Sequence, residues 1–417
     1  MAGQREIAVL GAGMVGVCVA VHLQKAGHNV VLVDRKAPGQ ETSYGNAGLI
    51  QREAVEPHPF PRDIGTLWRV LPNRSIDIRY RASAMVGNAG ALAQYWRYSS
   101  TREFERIVPE YASLIEQCTA EHDGMIKAAA AESLVRSDGW LQLFRHSATL
   151  EAEAAKAEDF RKRFGVEFKT LDSAALAQAE PALNEQLAGA IHWTNAWSVV
   201  DPGALVQAYA DDFVAAGGTI ETADITDISH NANGWRLHSD SATIDADGLV
   251  LATGPWSKPW LESLGYALPL FVMRGYHMHY AYPESGQTLS YGIMDFEKGY
   301  LVTPKRAGLR LTTGAELNSP GAPPNYGQLN AAESVVQSLV TLGARSDPEP
   351  WLGARPCLPD MKPIIGPAPA HRKLWFAFGH GHQGFTLGAV TGRMIREMVD
   401  GEEPFIDPVP YRAERFI

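Results

Sequence analysis

Ile7-Ala8-Val9-Leu10-Gly11-Ala12-Gly13-Met14-Val15-Gly16, with the later run Val30-Val31-Leu32-Val33-Asp34, is the stretch that decides the fold. Ile7 to Leu10 is a short, unbroken apolar run, the pattern of a strand buried on both faces of a parallel sheet. Val15 to Lys25 carries helical periodicity, and Gly27 is placed to cap the helix end. Between them, Gly11-x-Gly13-x-x-Gly16 has the spacing of a dinucleotide turn. Gly11 allows the tight turn, Gly13 lets a pyrophosphate approach the backbone, and Gly16 lets the helix pack on the strand. The helix start at Met14 and Val15 then presents free N–H groups and a positive dipole end to the phosphates. Asp34, with Arg35 beside it, ends the second strand where a carboxylate bonds ribose hydroxyls.

Working outward, residues 35–62 are rich in Gly, Pro and polar residues and do not continue the pattern. A nicotinamide-binding half-domain would add further β and α units at this point. Here residues 63–190 read as mostly helical. The α/β pattern returns at 191–270, with a helix from Pro202 to Ala216, a strand at Thr219-Ile220-Glu221 and a β-meander over 224–247 turning at Asn231-Ala232-Asn233-Gly234. Leu249 to Ala252 is another buried strand. Residues 271–315 alternate aromatic and polar side chains as antiparallel strands do. A strand at Leu374 to Phe378, a glycine-rich turn and a helix starting near Gln383 close the chain. Such dispersed segments suit FAD, a large cofactor held in an extended pose. The expected class is therefore α/β: a discontinuous Rossmann-like FAD-binding domain (1–62, 191–270 and 351–417). Inserted in it is an α+β substrate domain (63–190 and 271–350), built on a mixed or antiparallel sheet plus helices.

The bulk properties narrow the function. A length of 417 residues favours two domains, and a net charge of −10 disfavours a nucleic-acid partner. Cys18, Cys118 and Cys357 fit no zinc or disulfide spacing, which suits a reducing, cytoplasmic compartment. No signal peptide and no membrane span are read, while a peripheral contact with the inner face of a membrane stays compatible.

Five places together resemble the FAD-dependent D-amino acid oxidase superfamily, and most closely its bacterial D-amino acid dehydrogenase and D-hydroxyproline dehydrogenase branch. They are the glycine motif with Asp34; Glu41-Thr42-Ser43-Tyr44-Gly45-Asn46-Ala47-Gly48; Leu251-Ala252-Thr253-Gly254-Pro255-Trp256-Ser257; Trp351 to Pro356 with Pro359-Asp360 and Pro363 to Gly366; and Gly379-His380-Gly381-His382-Gln383-Gly384-Phe385-Thr386. The resemblance implies that Thr42, Ser43, Asn46, Ala47 and Gly48 meet the flavin, and that Thr253, Gly254 and Trp256 lie near the adenosine half. It further places His380, Gly381, His382, Gln383, Gly384 and Thr386 around the isoalloxazine. Two His at i, i+2 without Cys or carboxylates make a poor metal site, and no metal is expected. Some relatives hold the flavin through a cysteine before a Pro-Asp pair. Here Gly353 falls near that place, so FAD is expected to be non-covalent and Cys357 a packing residue.

The implied substrate is a small amino or imino acid, whose carboxylate needs a cation. Arg supplies a bidentate fork that stays charged when buried. Arg355 and Arg274 stand in apolar or aromatic settings, and Tyr300 resembles a tyrosine that faces the substrate in this family. These three are the expected catalytic residues. Each arginine also has the plainer reading of pairing with a carboxylate, and His277 reads either as a structural histidine or as a base. The implied reaction is hydride transfer from the substrate Cα–H to flavin N5, giving an imino acid and then a 2-oxo acid. A sarcosine- or glycine-oxidase-like enzyme and a non-catalytic flavoprotein subunit are the competing readings. Nothing in the sequence selects oxygen, a quinone or an electron-transfer protein as the acceptor, or an oligomeric state.

Overall fold

The computed structural model describes residues 3–230, 234–240, 243–284 and 286–417. The apolar run at the N-terminus becomes the strand Glu6–Leu10, buried from Ile7 onward, as its lack of alternation requires. It pairs in parallel with Asn29–Asp34 on one side and Gly248–Leu251 on the other. Thr219–Thr222 extends this sheet at one edge and Leu374–Phe378 at the other, both in parallel. Ile364–Pro367 closes it antiparallel. The helix Met14–Lys25 crosses its face and packs on the helix Gly388–Asp400. Gly388 and Gly392, one turn apart, make that approach possible: a Cβ on either would lie 2.6 Å from Met14 Cγ or from the Cys18 carbonyl oxygen. All three cysteines are buried free thiols.

The second layer is a ten-stranded sheet centred on Phe271–Tyr280, Gly308–Thr312, Tyr300–Lys305 and Gly292–Asp295. It is mixed: Gly292–Asp295 runs parallel to Trp140–Phe144 and antiparallel to Tyr300–Lys305. The expected meander is present as Ile225–His230, Trp235–Ser239 and Thr243–Ala246. Its expected turn at Asn231 to Asn233 lies outside the described residues. Among the described residues no helix is long and apolar enough to cross a membrane.

Three elements differ from expectation. Residues 63–190 hold, besides helices, the strands Trp140–Phe144 and Phe168–Asp172, which join Gly189–Trp193 in the large sheet. Trp140–Phe144 is buried at all five positions, so it shows no alternation. Its one polar residue, Gln142, is satisfied by Trp193 Nε1 at 2.9 Å. Trp351–Cys357, expected with the nucleotide-binding part, pairs along its length with Phe271–Tyr280, from Phe271↔Cys357 to His277↔Trp351. The long strand offers a free ladder there, and unpaired backbone would otherwise be left inside. The last helix starts at Gly388 rather than near Gln383. Residues 381–387 form turns instead, with Leu387 N donating to Gln383 O as the first helical bond.

Glu53 tests this packing. Its carboxylate accepts from Gln51 and Trp140 Nε1, but Oε2 is buried without a partner, and burial pushes the carboxyl up to about 7. The folded state therefore holds a proton that the unfolded chain releases at lower pH, and stability falls as pH rises from the ordinary carboxylate range through about 7. Glu53→Gln is expected to match the wild type in urea unfolding at pH 5 and to exceed it by roughly 3 kcal/mol at pH 8. Equal stability at both pH values would refute this account.

Candidate active site

The glycine turn leaves no room for side chains. Gly11 has φ +110°, and a Cβ on it would lie 2.5 Å from the Ala252 carbonyl oxygen; one on Gly16 would lie 1.8 Å from Gly11 O. Asp34 Oδ2 accepts from Ala12 N at 2.6 Å, tying the end of the second strand to the turn. Met14 N donates to Ser43 Oγ at 2.9 Å, and Arg35 pairs with Glu41 while lying 4.4 Å over the Trp256 ring. Thr253 Oγ1 shares a hydrogen bond with Ser257 at 2.9 Å, and Gly254 has φ +52°.

A cavity of about 1100 Å³ runs from this turn to the large mixed sheet. Gly11, Gly13, Met14, Val15, Asp34, Arg35, Thr42, Ser43, Asn46 and Ala47 line one end and the middle, with Thr253, Gly254 and Trp256. His380, Gly381, His382, Gly384, Tyr300 and Arg355 line the rest. Gly16, Gly48, Gln383 and Thr386 stand behind the lining. Gly16 packs the helix on the turn, and Gln383 Nε2 donates to Gln51 at 2.9 Å. Thr386 bridges Gln51 N and Leu49 O. The volume exceeds a small-ligand pocket of roughly 300–1,000 Å³. Side-chain-free backbone at Gly11 and Gly13 lines it, and both features fit FAD.

The loop 42–48 is held from behind by two buried cations. Arg310 donates to the carbonyls of Tyr44 (2.9 Å) and Asn46, and Lys305 Nζ to those of Ala47 (2.6 Å) and Val199 (2.7 Å). Thr42 Oγ1 donates to Ala354 O at 3.0 Å, and Asn46 Oδ1 accepts from Gly48 N at 2.7 Å. Among the described residues neither cation forms a salt bridge. Burial lowers Lys305 well below its ordinary value and Arg310 to about 10. Gly48, at φ +72°, is required here because a Cβ would lie 2.3 Å from Lys305 Nζ. With their carbonyls turned to these cations, the loop residues leave their opposite side to the cavity.

The three expected catalytic residues separate. Arg355 lines the cavity and donates to the carbonyls of Gly314 (2.9 Å) and Arg274 (3.3 Å), and among the described residues no carboxylate pairs with it. Gly275 makes its place: a Cβ there would meet the guanidinium at 2.5–2.8 Å. Tyr300 also lines the cavity, but its hydroxyl donates to Asp295 Oδ2 at 3.2 Å, which Arg145 Nε binds at 2.8 Å. Arg274 does not line the cavity. It is 1% exposed and pairs with Glu316 at 2.9 Å, with further bonds to Tyr276 and to the carbonyls of Ala322 and Pro323. The register explains why. Met273 faces Arg355 and Arg274 faces Ala354, so alternation sends Arg274 to the opposite side of the sheet.

His277 is also outside the lining. It stacks on Trp351 at 4.8 Å and is lowered to about 2, chiefly by burial, so it stays neutral. With His279 and Asp347 it forms a cluster of metal-ligand type, but His279 is spent between Asp347 (2.6 Å) and Arg310 Nε (2.9 Å). His380 Nε2 is likewise engaged, with Thr391 at 2.9 Å. Two side chains near Arg355 escaped the sequence reading. His58 sits 5.0 Å ring to ring from His382, both held neutral by burial with the Arg355 charge nearby. Tyr95 donates to the His58 carbonyl at 2.6 Å. The only signal for His58 was its setting in Glu56-Pro57-His58-Pro59, a rigid extended stretch.

Residues 6–398 match the family model described as DAO, FAD dependent oxidoreductase. The chain is 30% identical to a D-amino-acid oxidase of Bradyrhizobium diazoefficiens, covering 99% of both proteins. It is 29% identical to a D-amino acid dehydrogenase of Cereibacter sphaeroides, covering 99% of this chain and 95% of that one. The glycine oxidase of Geobacillus kaustophilus shares the fold, with a TM-score of 0.73 at 21% identity over 99% of both chains.

The buried Arg274–Glu316 pair is expected to serve stability. Glu316→Ala strands a buried guanidinium and is expected to cost about 3–5 kcal/mol in urea unfolding. A loss below 1 kcal/mol would show that the arginine is satisfied without its partner.

Proposed function

Because the chain belongs to the DAO family of FAD-dependent oxidoreductases, we propose that it oxidises the Cα–N bond of a D-amino or imino acid bound by Arg355. The relatives at 30% and 29% identity, covered almost end to end, are named for D-amino acid oxidation, which supports the handedness. The observation that carries the substrate reading is Arg355 itself: a buried cation at the cavity wall with no protein carboxylate to neutralise it. A guanidinium keeps its charge there, and an incoming carboxylate supplies the missing counterion through two parallel hydrogen bonds. FAD, when bound, supplies the two-electron sink for the Cα hydride, and the resulting imine hydrolyses to a 2-oxo acid in water.

The chain's own groups orient and exclude. Backbone bonds to Gly314 and Arg274 fix the guanidinium before substrate arrives, and such positioning is worth up to about 7 kcal/mol in favourable cases. Tyr300 is held by Asp295 and contributes its ring as a wall. His58 and His382, kept neutral, put no second positive charge beside the substrate amine, so an uncharged amine is tolerated without a general base. Non-covalent FAD is supported by the state of Cys357: buried within a strand, outside the main cavity lining, its thiol pushed up to about 12. A thiol in that state is a poor nucleophile.

Arg355→Ala is expected to lower kcat/KM at least tenfold, from losing a charged hydrogen bond worth about 1.5–3 kcal/mol, at unchanged flavin content. Arg355→Lys is expected to recover part of it. An unchanged kcat/KM would remove Arg355 from the site. Anaerobic flavin bleaching is expected with D-amino acids and not with their L-forms, glycine or sarcosine; bleaching by sarcosine instead would reassign the substrate class. Acid precipitation is expected to leave the flavin in the supernatant.

A further inference from the structure

His279 and Arg310 stand directly opposite each other in the antiparallel strands Phe271–Tyr280 and Gly308–Thr312. Opposite residues share a face, and from that face Arg310 reaches the loop 42–48. Arg310 Nε donates to His279 Nε2 at 2.9 Å. A guanidinium can only donate, so Nε2 is the unprotonated ring nitrogen and Nδ1 carries the hydrogen. Nδ1 donates in turn to Asp347 Oδ2 at 2.6 Å. One tautomer satisfies both contacts. The three groups form a directed chain from a carboxylate to the carbonyls of Tyr44 and Asn46. Burial, with the Arg310 charge beside it, lowers His279 and keeps the ring neutral, as this tautomer requires. The same tautomer argues against a metal held by His277, His279 and Asp347. A metal on Nδ1 would move the ring hydrogen to Nε2 and point it at the Arg310 N–H.

The carboxylate end is built to stay in place. Ser346 N donates to His279 O at 2.9 Å, and Ala281 N to Ala344 O at 2.8 Å, so the segment carrying Asp347 is pinned alongside the strand. Asp347-Pro348-Glu349-Pro350 follows, and its prolines restrict the backbone further. Asp347 is 37% exposed, and none of the three groups lines the cavity. The chain therefore reaches the loop from outside the site. A guanidinium bonded only to carbonyl oxygens could turn about its stem, whereas a fixed acceptor at Nε leaves its planar fork one orientation.

We propose that Asp347 and His279 are positioning residues for the cofactor: they fix Arg310 in the orientation that holds the Tyr44 and Asn46 carbonyls, and so set how tightly FAD is kept. The proposal rests on FAD occupying the cavity and not on the substrate reading above. The test is FAD release from diluted holoenzyme, followed by the rise in flavin fluorescence. It needs no substrate, so a failure here leaves the substrate assignment untouched. Asp347→Ala and His279→Leu are each expected to raise the FAD dissociation constant about tenfold, as for loss of one charge-assisted hydrogen bond. Both act through one chain, so the double variant is expected to bind no more weakly than His279→Leu alone. His279→Gln, whose amide offers an acceptor to Arg310 and a donor to Asp347, is expected to stay within about threefold of the wild type. Asp347 lies at the surface, so its variant carries the test even if His279→Leu does not fold. The proposal is overturned if Asp347→Ala keeps FAD as the wild type does, or if His279→Gln releases it as readily as His279→Leu. It is also overturned if the two single effects multiply to about a hundredfold in the double variant.

Discussion

The whole site hangs on a place where no Cβ fits. The Glu6–Leu10 and Gly248–Leu251 strands run side by side, and where they end Gly11 meets the Ala252 carbonyl at a distance that admits only hydrogen. The tight approach turns the chain at once into the Met14–Lys25 helix, whose first N–H groups then line the cavity. The same helix can carry Gly388–Asp400 on its back only because Gly388 and Gly392 lack side chains. Three segments separated by hundreds of residues are thus locked to one another by missing atoms rather than by added contacts. A cavity long enough for an extended dinucleotide results because its two ends come from different layers, the parallel sheet and the strand pair that carries Arg355.

Charge placement divides the buried cations into two kinds. Arg274 has Glu316 and four further oxygen partners, so it is neutralised and structural. Arg355, Lys305 and Arg310 are bonded to carbonyl oxygens, and Arg310 also to His279 Nε2. None of the three forms a salt bridge among the described residues. Burying a net charge is costly unless something anionic repays it. Arg355 lines the cavity and Arg310 lies directly behind a loop that does, so positive charge borders the space that fits FAD.

Much of the nucleotide end was legible because its signals are local. The glycine spacing, the apolar run before it and Asp34 each carry a mechanism readable from adjacent residues, as does the Asp201-Pro202 helix start, where Asp201 accepts from Ala204 N. Trp140–Phe144 was hidden for the opposite reason: a strand buried on both faces shows no alternation, and its neighbours are Ala-rich helices. The apolar stripe of Ile64–Val70 was equally opaque, since periodicity reveals a stripe but not that it lines the cavity.

The substrate end turned on register, which no single segment contains. Arg274 and Arg355 looked alike as arginines in apolar settings, and both met the chemical need for a carboxylate partner. Pairing Met273 with Arg355 separates them, because residues directly opposite share a face and their immediate neighbours do not. Of the two arginines, Arg355 lines the cavity and Arg274 does not. The glycine beside Arg274 then gains a purpose: Gly275, on the cavity face, vacates the volume that the Arg355 guanidinium fills. Val272-Met273-Arg274-Gly275 therefore does contribute to the site, through the absence at Gly275 and not through the charge at Arg274.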